Sequence, residues 1–168
     1  ASLDDMIKVS RNAWSQNPTF KGSSLMWIEP GKPVSLADLE RGVIISSGND
    51  ASVAVAEYLA GTESSFVDVM NQLAEELGLD NTVYRNPHGL PHPEHRTTAR
   101  DLATLSVALI NGHPEHYKIY KEQSFTYNGI KQYNRNSLVR SDATVDGLKT
   151  GYTREAGYGL VASAQRED

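Results

Sequence analysis

Apolar residues fall three or four apart in several stretches of the first two-thirds of the chain and alternate with polar ones near its end, so two periodicities divide the sequence. Ser35-Leu36-Ala37-Asp38 has the capping-box form, a hydroxyl followed three residues later by an acid, ahead of apolar Leu39 and Val43. It predicts a helix over 36–46. Residues 50–60, DASVAVAEYLA, are rich in alanine, begin at an acid and stop at Gly61, which suits a buried helix with a glycine past its end. Over 64–77, Phe66, Met70, Leu73 and Leu77 form the apolar face of an amphipathic helix. Thr98-Ala99-Arg100-Asp101 repeats the cap, so Asp101 reads as a capping residue and not as an acid catalyst. Leu102, Leu105 and Leu109 carry this fourth helix to Asn111-Gly112.

Between the third and fourth helices, DNTVYRNPHGLPHPEHRT at 80–97 holds three prolines, and no regular element can run through it. Ahead of the first helix, the apolar stretch SLMWI before a Pro-Gly turn predicts a short strand. After a short turn of helix in HPEHYKIYK, the pattern changes to alternation. SFTYNGIKQYN sets Asn128-Gly129 between two runs, a hairpin signal, because a two-residue turn with both residues at positive φ favours asparagine and glycine. VDGLKTG and YGLVASA form a second antiparallel pair across a TREAG turn. Helices first and hairpin-joined strands last mean an α+β fold.

At 168 residues, with 39% hydrophobic and 22% charged content, the chain reads as one folded domain or a piece of one. A net charge of −5 and the absence of any lysine or arginine run argue against nucleic acid as a partner. No cysteine is present, which excludes disulfides, thiolate catalysis and sulfur-bound metals together. His88, His92 and His95 are spaced for a metal on a helix, but Pro87, Pro91 and Pro93 forbid a helix there, so no metal site or cofactor is expected. Tyr117, Tyr120, Tyr127 and Tyr133 read as cross-strand packing ahead of a sugar platform, and Trp14 and Trp27 as core or interface filler.

Candidate chemistry lies in two tripeptides. Lys149, between Gly147 and Gly151 and beside Thr150, puts an ammonium and a hydroxyl on a strand whose backbone a ligand can approach closely, good equipment for a carboxylate; the plainer role is an edge-strand lysine that blocks aggregation. Ser47-Gly48-Asn49, between two predicted helices, can turn a hydroxyl and an amide the same way from a tight turn. Their occurrence in this order by accident is on the order of 0.1% at average residue usage. Ser-Gly-Asn followed by Lys-Thr-Gly matches two of the three active-site elements of penicillin-binding proteins and class A β-lactamases. With SLMWIEPGKPVSLADLERGVIISSGNDASVAVAEYLAG, LGLDNTVYRNPHGL, TTARDLATLSVALI, YKEQSFTYNGI, NRNSLV and VDGLKTGYTREAGYGLVASA, the chain resembles the low-molecular-mass penicillin-binding proteins, serine D-alanyl-D-alanine carboxypeptidases, from about Met6 to Ala164.

The resemblance implies a β-lactamase/transpeptidase-like fold, with a helical part over about 35–122 and an antiparallel hairpin or sheet part over about 123–165. It implies that Ser47 relays a proton to the leaving amine, and that Asn49 bonds the substrate's peptide carbonyl and helps position a catalytic lysine. Lys149 and Thr150 would bind the terminal D-alanine carboxylate, Gly151 would let substrate lie as an added strand, and the Tyr152 N–H would supply half of an oxyanion hole. His88, in Asn-Pro-His-Gly-Leu, matches a position near the active-site rim, where a structural role is expected. The implied partners are peptidoglycan stem peptides and β-lactams, and the implied setting is the periplasm or another extracytoplasmic, membrane-associated site in cell-wall and cell-shape work.

The third family element, Ser-x-x-Lys, is absent: Ser10, Ser24, Ser47, Ser65 and Ser124 are followed three later by Ala13, Trp27, Asp50, Asp68 and Tyr127, and no other serine reaches a lysine. The expectation is therefore a single penicillin-binding catalytic domain over 1–168, incomplete at both ends, with the nucleophile upstream of Ala1. Such a chain is expected neither to form an acyl-enzyme nor to turn over by itself. Apolar surface at Val43, Ile44, Val53 and Val55 and the edge of the 147–151 strand are expected to be uncovered, favouring self-association. Two alternatives stand beside the carboxypeptidase reading: a non-catalytic D-Ala-D-Ala or cell-wall binding or regulatory module, and a β-lactamase.

Overall fold

The Ser35 hydroxyl accepts the N–H of Asp38 at 3.1 Å and opens helix α1 (Leu36–Ile44) in the computed structural model, which describes residues 1–166. Helix α2 (Asn49–Ala60) follows after a four-residue turn and stops at Gly61. The Thr98 hydroxyl caps α4 (Ala99–Gly112) through the Asp101 N–H, as the sequence predicts, and the Thr62 hydroxyl caps α3 (Glu63–Glu76) through the Ser65 N–H. A short α5 (Pro114–Tyr117) runs into a 3₁₀ turn, Lys118–Lys121.

Three two-stranded antiparallel pairs complete the fold. Strands β1 (Met6–Ile7) and β2 (Val34–Ser35) pair ahead of α1. The hairpin of β3 (Ser124–Tyr127) and β4 (Ile130–Tyr133) turns at Asn128 and Gly129, both at positive φ (49° and 76°), the conformation for which that dipeptide is suited. After the four-residue helix α6 (Leu138–Ser141), the long hairpin of β5 (Val145–Thr153) and β6 (Gly157–Ala164) carries the Lys-Thr-Gly stretch. Residues 80–97 hold no regular element beyond an isolated bridge from Val83 to Arg96. Side chains hold this loop: Asn71 exchanges two hydrogen bonds with the Tyr84 backbone at 2.8 and 3.0 Å, and Asp101 accepts from Asn81 N and Thr82 Oγ1 at 3.0 and 2.7 Å.

The core lies between α1, α2 and the chain that precedes them: Met26, Ile28, Leu39, Ile45 and Val53 are fully enclosed, with Phe20 and Val34 beside them. Met26 and Ile28 of the SLMWI stretch are buried here, but the stretch is not a strand. Its Met26, Trp27 and Ile28 N–H groups, which a strand would spend on a neighbour, all donate to the Asp50 carboxylate at 2.8, 2.8 and 3.1 Å, and Trp27 sits at φ 71°. Trp27 is not core filler: it is 56% exposed. The α3 stripe is rotated from the predicted face. Val67 and Ala74 are buried, Phe66, Met70 and Leu77 are half-buried, and Leu73 is 48% exposed, because the inward side also presents Asn71 to the 80–97 loop. The expected uncovered surface at α1 and α2 is likewise corrected. Ile44 and Val53 are buried (6% and 0% exposed), and Val43 and Val55 are half-buried against the core; exposed apolar side chains lie instead at Leu73, Val107, Tyr158 and Leu160.

Candidate functional site

The turn between α1 and α2 is held by backbone and side-chain hydrogen bonds together. Gly48 N and Ser46 Oγ both donate to the Gly42 carbonyl, at 2.9 and 2.8 Å, and Asn49 N reaches across to Ser24 O at 2.9 Å. Asp50, fully buried, accepts from Ala51 N at 2.9 Å as well as from the three N–H groups of residues 26–28. Burial pushes its pKa up, and those four donors act against the rise by favouring the anion. The close approach of Met26 to Asp50 explains the glycine between Ser47 and Asn49. A Cβ at position 48 would stand 3.0 Å from both Asp50 Oδ1 and Met26 N. Ser47 is left at φ 58°, a left-handed conformation that costs a non-glycine residue about 1 kcal/mol and turns its hydroxyl out of the helical path.

Strand β5 brings the cation to this hydroxyl. Lys149 Nζ donates to Ser47 Oγ at 2.8 Å and to Thr150 O at 2.9 Å, joining residues 102 positions apart. The two tripeptides therefore share one site. No carboxylate pairs with Lys149 among the described residues, and two of its three N–H donors are committed. Burial, with a smaller contribution from the Arg135 guanidinium, lowers its pKa to about 8. A lysine so placed is still a cation at neutral pH but gives up its proton far more readily than a solvated one.

Residues 134–136 hold the turn and the strand together. Arg135 N donates to Ile45 O at 3.1 Å, at the end of α1, and Asn136 Nδ2 donates to Gly147 O at 3.0 Å, in β5. Asn134 Nδ2 reaches Tyr120 O and Glu122 O, and its Oδ1 accepts from Asn136 N. Both asparagines are buried, so each amide is satisfied where water cannot be. From behind, Tyr117 Oη donates to Asp146 Oδ1 at 2.6 Å and meets Ser163 Oγ at 2.7 Å; burial and that carboxylate push the Tyr117 pKa up to about 12. Gly147 makes room for this packing, since a Cβ there would lie 2.7 Å from Ser163 Oγ. Sequence reasoning passed over Asn134, Arg135, Asn136 and Asp50 as site residues. NRNS has no periodicity, and a buried acid on a helix's first turn looks like an ordinary cap.

The other predicted site residues are placed around the pair. Asn49 is buried in the first turn of α2, and its side-chain amide makes no hydrogen bond among the described residues. Thr150 touches Lys149 through its carbonyl, and successive residues of a strand face opposite ways. At Gly151 a Cβ would meet nothing within 4 Å, and β5 pairs with β6 alone among the described strands, so the other edge of Lys149, Thr150 and Gly151 is open to an extended ligand. Tyr152 is exposed and stacks on Tyr158 with ring centroids 4.5 Å apart. His88 stands apart from this constellation: its ring packs edge-on against Phe20, and burial lowers its pKa to about 4 even though Glu63 lies 3.8 Å away. No group of three or more histidine, aspartate or glutamate side chains suited to a metal occurs among the described residues.

An unpaired, partly desolvated ammonium on an open strand edge, hydrogen-bonded to a serine hydroxyl, can bind a carboxylate and exchange a proton with that hydroxyl. The sequence profile of the D-alanyl-D-alanine carboxypeptidase family, peptidase S11, matches residues 1–168. The chain is 52% identical over 168 residues to the D-alanyl-D-alanine carboxypeptidase DacC of Escherichia coli, covering 99% of this chain and 42% of that protein. It is 52% identical over 163 residues to DacD of the same organism, covering 96% and 42%. Among solved structures it superposes on penicillin-binding protein 6B from E. coli with a TM-score of 0.94 at 50% identity, covering 99% of this chain and 53% of that one. The chain thus spans less than half the length of the two carboxypeptidases it matches.

Proposed function

Because the chain belongs to the D-alanyl-D-alanine carboxypeptidase family, we propose that it forms the substrate-recognising part of an enzyme that removes the terminal D-alanine from peptidoglycan stem peptides through an acyl-serine intermediate and is acylated by penicillins. The observation that carries this reading is the 2.8 Å hydrogen bond from Lys149 Nζ, a cation without an anion among the described residues, to Ser47 Oγ. Lys149 takes the free C-terminal carboxylate, and Thr150 holds the lysine through its carbonyl. Asn49, whose amide has no bond of its own, holds the peptide carbonyl. The peptide lies along the open edge at Gly151, and the Tyr152 N–H joins the oxyanion hole. Ser47 passes a proton to the leaving amine, aided by a lysine whose pKa lies near 8. The nucleophile and its base come from a Ser-x-x-Lys segment outside these 168 residues.

The same reading places the protein in peptidoglycan and cell-shape work, in the periplasm or at an extracytoplasmic membrane surface. The chain by itself is proposed to self-associate through the open edge of β5 at 147–151. The test is release of D-alanine from an acyl-D-Ala-D-Ala peptide and from its C-terminal amide by an enzyme carrying this chain together with a Ser-x-x-Lys segment. The acid is cleaved, the amide is a poor substrate, and Lys149→Ala removes the difference. Equal cleavage of acid and amide would refute the role given to Lys149.

A further inference from the structure

Strand β5 reaches Lys149 through a bulge. Val145 stands opposite Ala164 across the β5–β6 hairpin, but Gly147 stands opposite Ser163, so Asp146 is one residue more than β6 can pair. From there the register runs unbroken, with Lys149 opposite Val161 and Gly151 opposite Gly159. Counted from Val145 without the extra residue, Lys149 would stand opposite Leu160. Cross-strand partners share a face and successive residues alternate, so that single residue decides which face carries the ammonium. The two faces of β6 differ: Val161 and Ser163 are half-buried, whereas Leu160, Ala162 and Ala164 are exposed. The bulge thus puts Lys149 on the side of Val161, where its Nζ reaches Ser47 Oγ at 2.8 Å.

The extra residue is held by a chain of hydrogen bonds. Tyr117 Oη, at the end of α5, donates to Asp146 Oδ1 at 2.6 Å. A phenol has one proton, so the 2.7 Å contact with Ser163 Oγ is a bond that the serine donates. Tyr117 therefore ties the unpaired residue of β5 to the β6 residue that pairs with its successor. Asn136 Nδ2 holds Gly147 O at 3.0 Å, and a Cβ at Gly147 would lie 2.7 Å from Ser163 Oγ and 3.4 Å from Tyr117 Cε2, so the chain closes only over glycine. Asp146 has no cation partner among the described residues, which leaves the phenol as the group that fixes its carboxylate. With its pKa pushed up to about 12, Tyr117 keeps its proton throughout the range in which Lys149, near 8, titrates.

We propose that the Ser163–Tyr117–Asp146 chain is a register clamp, with Tyr117 and Asp146 as positioning residues that lock the bulge in β5 and so hold the Lys149 ammonium against Ser47. This role rests on the reading of Lys149 as the cation for the terminal carboxylate. None of the three clamp residues touches substrate. Released from the clamp, β5 can lose its bulge by a one-residue slip, which carries Lys149 to the exposed face beside Leu160 and separates it from Ser47.

The experiment uses an enzyme carrying this chain together with a Ser-x-x-Lys segment, and the variants Tyr117→Phe, Asp146→Ala and Asp146→Asn, the last of which keeps an oxygen that accepts from Tyr117. Two quantities are measured. One is the ratio of kcat/KM for a peptide ending in D-Ala-D-Ala to that for its C-terminal amide; the other is the pH midpoint of the Lys149 side-chain nitrogen by NMR. Tyr117→Phe and Asp146→Ala are expected to lower the ratio about tenfold, the size of one charge-assisted bond, with the change in KM. Both move the Lys149 midpoint upward from near 8 as the ammonium turns to solvent. Asp146→Asn stays close to the wild type in both quantities. Ser163→Ala, which frees one end of the chain, lowers the ratio about threefold and serves in place of Tyr117→Phe if that variant does not fold. A role confined to stability would lower denaturant midpoints and leave the ratio and the titration unchanged, and that result overturns the proposal. So does Asp146→Asn behaving like Asp146→Ala. If the wild type cleaves acid and amide alike, the Lys149 reading fails, and the titration still decides the clamp: a midpoint that neither Tyr117→Phe nor Ser163→Ala moves overturns it.

Discussion

Replacing Lys149 by methionine tests whether the site holds its cation at a cost to the fold. Burial and Arg135 lower the lysine pKa from 10.5 to about 8, so the folded state binds that proton less well than the unfolded chain does. At pH 7 this amounts to about 3 kcal/mol of stability withheld by the charged lysine. Methionine keeps much of the stem and removes the charge, but loses the hydrogen bonds to Ser47 Oγ and Thr150 O, each worth about 1.5 kcal/mol for a charged donor. The two effects offset, so Lys149→Met is expected to leave stability at pH 7 within about 1 kcal/mol of the wild type while abolishing carboxylate recognition. The pH dependence has a definite sign. A cation with a lowered folded pKa contributes stability that is present above 10.5 and is lost as pH falls through about 8, so the wild type gains on the variant between pH 8 and 10.5. Urea unfolding of both proteins at pH 7 and at pH 10 measures this. A variant that is less stable at pH 7, with a difference that does not change by pH 10, would refute the argument that Lys149 is held as a strained cation.

Three further outcomes are expected. Asp50→Ala leaves four backbone donors without their acceptor and should lower stability by about 4 kcal/mol, with Asp50→Asn in between; denaturant midpoints and folded-state spectra report it. His88, whose pKa is lowered to about 4, contributes stability that is present above pH 6.5 and lost as pH falls from there through 4. The wild type should therefore lose up to about 3 kcal/mol relative to His88→Gln across that window, measured by unfolding at pH 7 and pH 4. Incubating the 168-residue chain with a labelled penicillin should leave its intact mass unchanged, because no serine in it is followed three residues later by a lysine; a gain of one penicillin would require another nucleophile.

Which parts of this site were legible in the sequence follows from what each part needs. Helix caps are local, and Ser35, Thr98 and the Asn128-Gly129 turn behave as their neighbours dictate. Ser47, Asn49 and Lys149 were found because two short motifs recur together, and their meeting across 102 residues follows the resemblance and not any periodicity. The misreadings share a different cause. SLMWI has the composition of a strand, yet a side chain 22 to 24 residues away takes the N–H groups that would have paired it. The inward face of α3 is set by an asparagine that serves as a backbone partner for a distant loop, which a hydrophobic pattern cannot encode. Asn136 and Arg135 brace the site through single long-range bonds to Gly147 and Ile45, and nothing in their neighbours marks them.

The central claim is that Lys149 is a desolvated ammonium held against Ser47 to receive a carboxylate. The most direct measurement is a pH titration of the Lys149 side-chain nitrogen by NMR, with and without a peptide ending in D-Ala-D-Ala. The account predicts a midpoint near 8 in the free protein, moved upward by the peptide acid and not by its C-terminal amide. A midpoint near 10.5 in the free protein, or the same displacement with acid and amide, would contradict it.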